Sequence, residues 1–155
     1  GITPILQPVA HALLQANEEL HFLMNGFDDD ALWSTPANCA SPGFHLLHIS
    51  GVLDRLLTYA EGNMLSDAQF QYLREETQSQ SGSAIDLLNK CDREIKRSIE
   101  RLSNFTEDVL IEGRSVGRGA LPSTVIGLCV HAAEHTMRHV GQLLVTVKML
   151  QSQTS

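Results

Sequence analysis

Residues 122–150 read PSTVIGLCVHAAEHTMRHVGQLLVTVKML, and among them only Glu134, Arg138 and Lys148 carry a charge. A stretch this long and this apolar around its circumference predicts a helix from about Pro122 to Leu150, buried inside a bundle or at a subunit interface. Such a helix needs apolar partners on several sides. The fold therefore turns on how many amphipathic helices the rest of the chain supplies.

It supplies three long ones. From about Pro4 to Phe27, Leu6, Leu13, Leu20 and Phe27 recur at intervals of seven, interleaved with Val9, Ala10, Ala16, Leu23 and Met24, an apolar helical stripe. Thr3-Pro4 resembles a cap and first-turn pair, with Pro8 placed to delay the start. Asn25-Gly26 ends it, and a linker holding Trp33 and Pro36 leads to a second helix, about Pro42 to Ala60. Ser41 suits its N-cap and Pro42 its first position. The third helix runs from about Ser83 to Leu102, with Ile85, Leu88, Ile95, Ile99 and Leu102 as its seam and a solvated face of Asp92, Arg93, Glu94, Lys96, Arg97, Glu100 and Arg101. Ser66 to Leu73 is long enough for a short helix, and the Ser/Gln-rich 77–83 reads as exposed loop. Residues 103–121 hold Val109-Leu110-Ile111 and three glycines, which predicts loop with at most a stub of strand. Four long helices in 155 residues define an all-α four-helix bundle, a single domain over 1–155. The long connections 62–82 and 103–121 leave room for a crossover that joins parallel neighbours.

Composition narrows the function classes. Hydrophobic residues are 43% and charged residues 19%, as in ordinary folded soluble proteins. No apolar run approaches the roughly 18 residues a membrane span requires, and no signal-peptide pattern occurs. A net charge of −7 with 11 Lys+Arg and no basic block speaks against nucleic acid as a partner. Cys39, Cys91 and Cys129 are odd in number, far apart and without a CxxC, as expected of reduced thiols in a cytoplasmic protein.

The seven histidines are the compositional oddity. His131, His135 and His139 follow one another at i, i+4, i+8, so neighbours share a helix face about 6 Å apart. Two imidazoles at i, i+4 reach one ion through bonds of about 2.0–2.1 Å, whereas 131 and 139 lie about 12 Å apart along the axis. The pair is therefore 131/135 or 135/139, with a third ligand from elsewhere. The second helix offers His45 and His48; His48 lies at the edge of the stripe of Leu46, Ile49, Leu53, Leu56 and Leu57, roughly in line with His45, Val52, Arg55 and Tyr59. Arg55 is thus placed to bind a carboxylate of substrate or cofactor, or to form a surface salt bridge. The bland alternative is a set of surface or internally satisfied histidines. Burying several imidazoles on one nearly uncharged helix costs free energy unless each nitrogen finds a partner, which a metal supplies.

Other motifs fall away. His131-Ala-Ala-Glu134-His135 matches the H-x-x-E-H peptidase pattern, which needs a further acidic ligand downstream, yet no Asp or Glu follows Glu134. Residues 113–119, GRSVGRG, are neither a P-loop nor GxGxxG. They read as flexible loop, with Arg114 or Arg118 the alternative steering groups for an anionic substrate.

Leu47-His48-Ile49, together with His135-x-x-x-His139 followed by Val140-Gly141-Gln142-Leu143, resembles the DinB/YfiT-like superfamily. His131, Leu32-Trp33 and the Ser41-Pro42-Gly43 entry to the second helix suit the same pattern, and the resemblance runs through nearly the whole chain in element order. It implies a four-helix bundle with a crossover, often a homodimer, in which His48, His135 and His139 bind a divalent metal, commonly zinc or nickel. His131 and His45 then neighbour the site, and Arg55 and His131 become candidate substrate contacts. The implied activities are those of thiol-dependent enzymes, an S-transferase or isomerase acting on a small-molecule substrate with a low-molecular-weight thiol held as thiolate on the metal. The alternatives are a metal-dependent hydrolase using bound water, and a non-enzymatic, stress-related bundle with a structural metal or none.

Overall fold

The structure, a computed structural model, describes residues 1–154. Four long helices form the body: α1 (Gln7–Met24), α2 (Pro42–Ala60), α4 (Ala84–Leu102) and α5 (Val125–Ser152), with a short α3 (Asp67–Glu75) on the connection between α2 and α4. Both α2 and α1 pack against α4 and α5, which places α1 opposite α2, and α4 opposite α5, across the bundle. Cys91 lies beside Leu46 and Ser50, Arg97 and Arg101 beside Asp54, and Arg101 beside Glu61. Contacts that advance in the same direction along both helices make α2 and α4 parallel. The segment carrying α3 is therefore the crossover that the long 62–82 connection predicts. By contrast, His45 meets His139 and His48 meets His135, so α2 and α5 are antiparallel.

The helix boundaries follow their caps. Ser41 accepts the amide of Phe44 and Pro42 opens the helix; Ser83 closes a capping box with Asp86, and Ser66 one with Gln69. At the first helix, Pro4–Leu6 form a 3₁₀ turn and the α-helix runs from Gln7 to Met24, short of Phe27. The core is built from Leu13, Leu20, Leu46, Ile49, Leu53, Leu57, Ile95, Leu128, Val140 and Leu143 with their neighbours.

Three expectations need correcting. Ile85 is not on the buried seam of α4: it is 56% exposed, and the seam runs through Ala84, Leu87, Leu88, Cys91, Ile95, Ser98 and Leu102. The apolar and small residues Ala84, Cys91 and Ser98 define that line, and Ile85 sits about 100° away from it. The 103–121 segment is more ordered than a loop. A 3₁₀ turn, Glu107–Ile111, buries Leu110, and an antiparallel hairpin pairs β1 (Gly113–Val116) with β2 (Leu121–Thr124). Consequently Pro122 is a strand residue opposite Ser115, and α5 begins at Val125, where the Thr124 hydroxyl accepts the Gly127 amide. No helix among the described residues is long and apolar enough to cross a membrane.

Candidate metal centre

The histidines sit where α2 and α5 cross. Ring nitrogens of His48, His135 and His139 lie within 4.8 Å of one another. Donors about 2.0–2.1 Å from a common ion stand roughly 3–3.5 Å apart, so small side-chain rotations bring the three onto one centre. Nε2 of His48 is already 2.9 Å from Nε2 of His135. Phe44 stacks on the His48 ring at 5.3 Å and 12°, fixing its plane. The preceding turn is held by Gly43, whose amide donates to Leu32 O and where a Cβ would lie 2.5 Å from the Trp33 ring. The Leu32-Trp33 and Ser-Pro-Gly segments thus set the entry angle of α2, and with it His45 and His48.

Two of the three rings have a distinct second contact. His139 Nδ1 lies 2.9 Å from Nδ1 of His45, which is 1% exposed, so one of the two nitrogens donates to the other. With the proton on His139 Nδ1, its Nε2 lone pair is free for a ligand role. His48 Nδ1 lies 2.9 Å from Oε1 of Glu76, which also takes both outer nitrogens of Arg55 at 3.0 Å. His135 Nδ1 is buried with no hydrogen-bond partner. An orphaned buried polar atom costs about 1–3 kcal/mol, and its presence shows that the protein alone does not use up the hydrogen-bonding capacity of this ring.

Electrostatics favour neutral rings. Burial, then the neighbouring His48, holds His45 down at about 4. His139 is lowered to about 3 by burial and by His48, His45 and His135, and His135 is lowered by burial, then His48. Imidazoles kept unprotonated at neutral pH keep their lone pairs for a cation. With His135 and His139 favoured as neutral rings, the three-histidine group has the spacing and donor type to hold a divalent metal ion. His45 and His139 close its inner side; His48 and His135 are half-buried and His131 is exposed, leaving the outer side toward solvent.

The other sequence candidates fall elsewhere. His131 Nδ1 donates to Glu134 Oε1 at 2.7 Å, and Glu134 also pairs with Arg138. His131, Glu134 and His135 form a second, more exposed grouping of possible ligands. Arg55, expected as a substrate contact or a surface salt bridge, is 7% exposed and closed against Glu76, so an internal carboxylate already occupies its fork. Arg55 does line a cleft of about 740 Å³ between α2, α3 and α4, with Asp54, Tyr72, Glu94 and Arg101 among the other walls. Cys91 and Cys129 are buried, and burial pushes both thiols up to about 12, which removes them as nucleophiles. Glu76 is the residue that sequence reasoning missed. It follows a short helix with no buried apolar residue, and nothing local distinguishes it from Glu75.

A helical crossover bundle with a three-histidine centre between its second and last long helices is a recognisable class of protein. The sequence matches the DinB superfamily over residues 12–143, and the chain belongs to that superfamily. Solved structures agree on the fold. A DinB-like protein from Bacillus subtilis is 20% identical, with a TM-score of 0.69 over 94% of this chain and 93% of that one. A conserved protein from Enterococcus faecalis is 15% identical, with a TM-score of 0.70 over 97% and 99%. A DinB-like protein from Bacillus cereus is 15% identical, with a TM-score of 0.68 over 90% and 91%. No curated protein matches the sequence.

Proposed function

We propose that the chain is a metal-dependent enzyme in which His48, His135 and His139 hold one divalent ion, zinc or nickel, and a thiol bound to that ion is the nucleophile toward a small electrophilic substrate. The observation that carries the reading is the convergence of ring nitrogens of three histidines from α2 and α5 within 4.8 Å of one another. Three neutral ligands leave the cation its full charge, which lowers the pKa of a bound thiol or water toward or below neutrality. The protein's own part is to fix the rings: Phe44 holds the plane of His48, Glu76 its Nδ1 side, and His45 the Nδ1 side of His139. The half-buried His48 and His135 edge, next to exposed His131, gives nucleophile and substrate their approach. Cys91 and Cys129 are buried and strongly disfavour the thiolate, and the exposed Cys39 contributes no atom to the grouping of possible ligands, so the thiol in this reading is an external, low-molecular-weight one. Homodimeric assembly in the cytoplasm belongs to the same reading.

The test is metal analysis of protein purified without a histidine tag, followed by thiol-transfer assays against electrophiles. Stoichiometric metal, lost in His48→Ala, His135→Ala and His139→Ala and kept in His131→Ala, supports the assignment. Loss on mutating His131 alone moves the centre to the 131/135 pair. Turnover that needs metal but no added thiol would replace the thiol by water and make the protein a hydrolase.

A further inference from the structure

We infer that Glu76 is a positioning residue for the histidine centre, and that through it the docking of α3 is coupled to metal binding. This rests on the metal-binding reading above and extends it to an element that supplies no ligand. The carboxylate of Glu76 is 2% exposed and makes three contacts, two from the Arg55 guanidinium and one to Nδ1 of His48. A carboxylate beside Nδ1 holds the proton there and turns the Nε2 lone pair toward His135, the arrangement that orients metal-bound histidines and raises their basicity. Arg55 holds the plane of that carboxylate through a bidentate fork.

A buried ion pair kept only for stability needs no third contact, and well-packed apolar residues serve as well. Here the surroundings make room for the third contact. Gly51, one turn after His48, has no side chain, and a Cβ there would lie 2.5 Å from Glu76 Oε2, 2.5 Å from Tyr72 Cε1 and 2.6 Å from Arg55 Nη1. The close approach of Glu76 to α2 depends on that bare backbone.

The same contact is one of those that attach α3. No residue of Asp67–Glu75 is buried. The helix is held by hydrogen bonds from Tyr72 Oη to Leu47 O, from Gln69 to Asp54 and Thr58, and by Glu76 at its end. An element with so little apolar contact sits at the low-stability end of the molecule. Ligation through Nε2 makes Nδ1–H of His48 a stronger donor, which tightens the bond to Glu76 and the docking of α3. By linkage, loosening that bond weakens metal binding by the same factor.

The experiment compares zinc affinity, by competition with a chromophoric chelator, for the wild type, the Arg55→Met/Glu76→Gln double variant and Tyr72→Phe. The double variant removes the carboxylate without stranding a buried guanidinium. Its zinc affinity is expected to fall by about 10–100-fold, while Tyr72→Phe, which frees a hydrogen bond of α3 and leaves Glu76 in place, shows a far smaller loss. Amide exchange in residues 67–76 is expected to slow on adding zinc to the wild type and not to the double variant. Should the double variant lack a cooperative unfolding transition, Glu76→Asp takes its place: it keeps the charge opposite Arg55, shortens the reach to His48, and is expected to show the same drop. Unchanged zinc affinity in the folded variant, or exchange in 67–76 indifferent to zinc in the wild type, overturns the inference alone. A wild type that binds neither zinc nor nickel overturns the metal reading with it.

Discussion

Replacing Gly51 by alanine tests the packing around the centre through a competition of two effects with opposite signs. In the middle of a helix, glycine to alanine stabilises by about 1 kcal/mol, because glycine loses more backbone freedom on folding. At position 51 the new methyl would stand 2.5 Å from Glu76 Oε2, 2.5 Å from Tyr72 Cε1 and 2.6 Å from Arg55 Nη1, inside van der Waals contact on three sides. None of the three yields freely. The Tyr72 ring is tethered through Leu47 O, and Arg55 and Glu76 are locked to each other. Overpacking costs about 1–3 kcal/mol, and damage to a buried ion pair costs up to about 3–5 kcal/mol when one partner is left alone. Subtracting the propensity gain leaves a net loss of up to about 2 kcal/mol if the pair shifts as a unit. Gly141, in α5 with nothing within 4 Å of its would-be Cβ, is the internal control and is expected to gain about 1 kcal/mol as alanine. Urea unfolding reads both: with a slope of about 2 kcal/mol/M, the midpoint moves down by up to about 1 M for Gly51→Ala and up by about 0.5 M for Gly141→Ala. A rise in midpoint for Gly51→Ala would show that Glu76, Arg55 and Tyr72 do not pack over α2 and would refute the reasoning.

Three further outcomes follow from named groups. Zinc at about 100 times its dissociation constant is expected to stabilise the folded chain by about 2.7 kcal/mol, seen as a rise in melting temperature that a chelator reverses and that His139→Ala abolishes. Burial, then the nearby Asp54, pushes Glu94 up to about 7 from 4.5; the folded state therefore favours the protonated form, and the stability this contributes is complete below pH 4.5 and lost as pH rises to about 7. Glu94→Gln should accordingly raise stability at pH 8, by an amount on the order of 1–2 kcal/mol, and do little at pH 4, measured by urea midpoints at both. Cys39 is exposed while Cys91 and Cys129 are buried, so a thiol reagent should label one cysteine quickly in the native protein and the other two only on unfolding; fast labelling of two would contradict the packing of α4 or α5.

Much of the centre was legible before any coordinates. His135 and His139 share a face because a helix turns once in about 3.6 residues, and a nearly uncharged sequence tells that the face is turned inward. That His48 completes the set was an implication of family resemblance, since helical spacing alone left both the pair and the third ligand open. The hairpin was hidden because four-residue strands, one containing Pro122, are too short to display alternation. Ile85 misled because apolarity at one position carries less weight than the line formed by small residues around it.

The chain's own pattern marks the long helices, the Ser41 start of α2 and, Ile85 excepted, the stripe that each helix turns inward. These depend on residues a few positions apart, and periodicity and capping chemistry report them directly. The packing of whole helices sets α2 antiparallel to α5, so that His48 meets His135 and His45 meets His139, and brings Glu76 across to His48 while it holds Arg55. Those contacts join residues 21 to 94 positions apart. Their existence depends on how whole helices pack, and no local pattern in the chain encodes the distance between two side chains brought together only when the core closes.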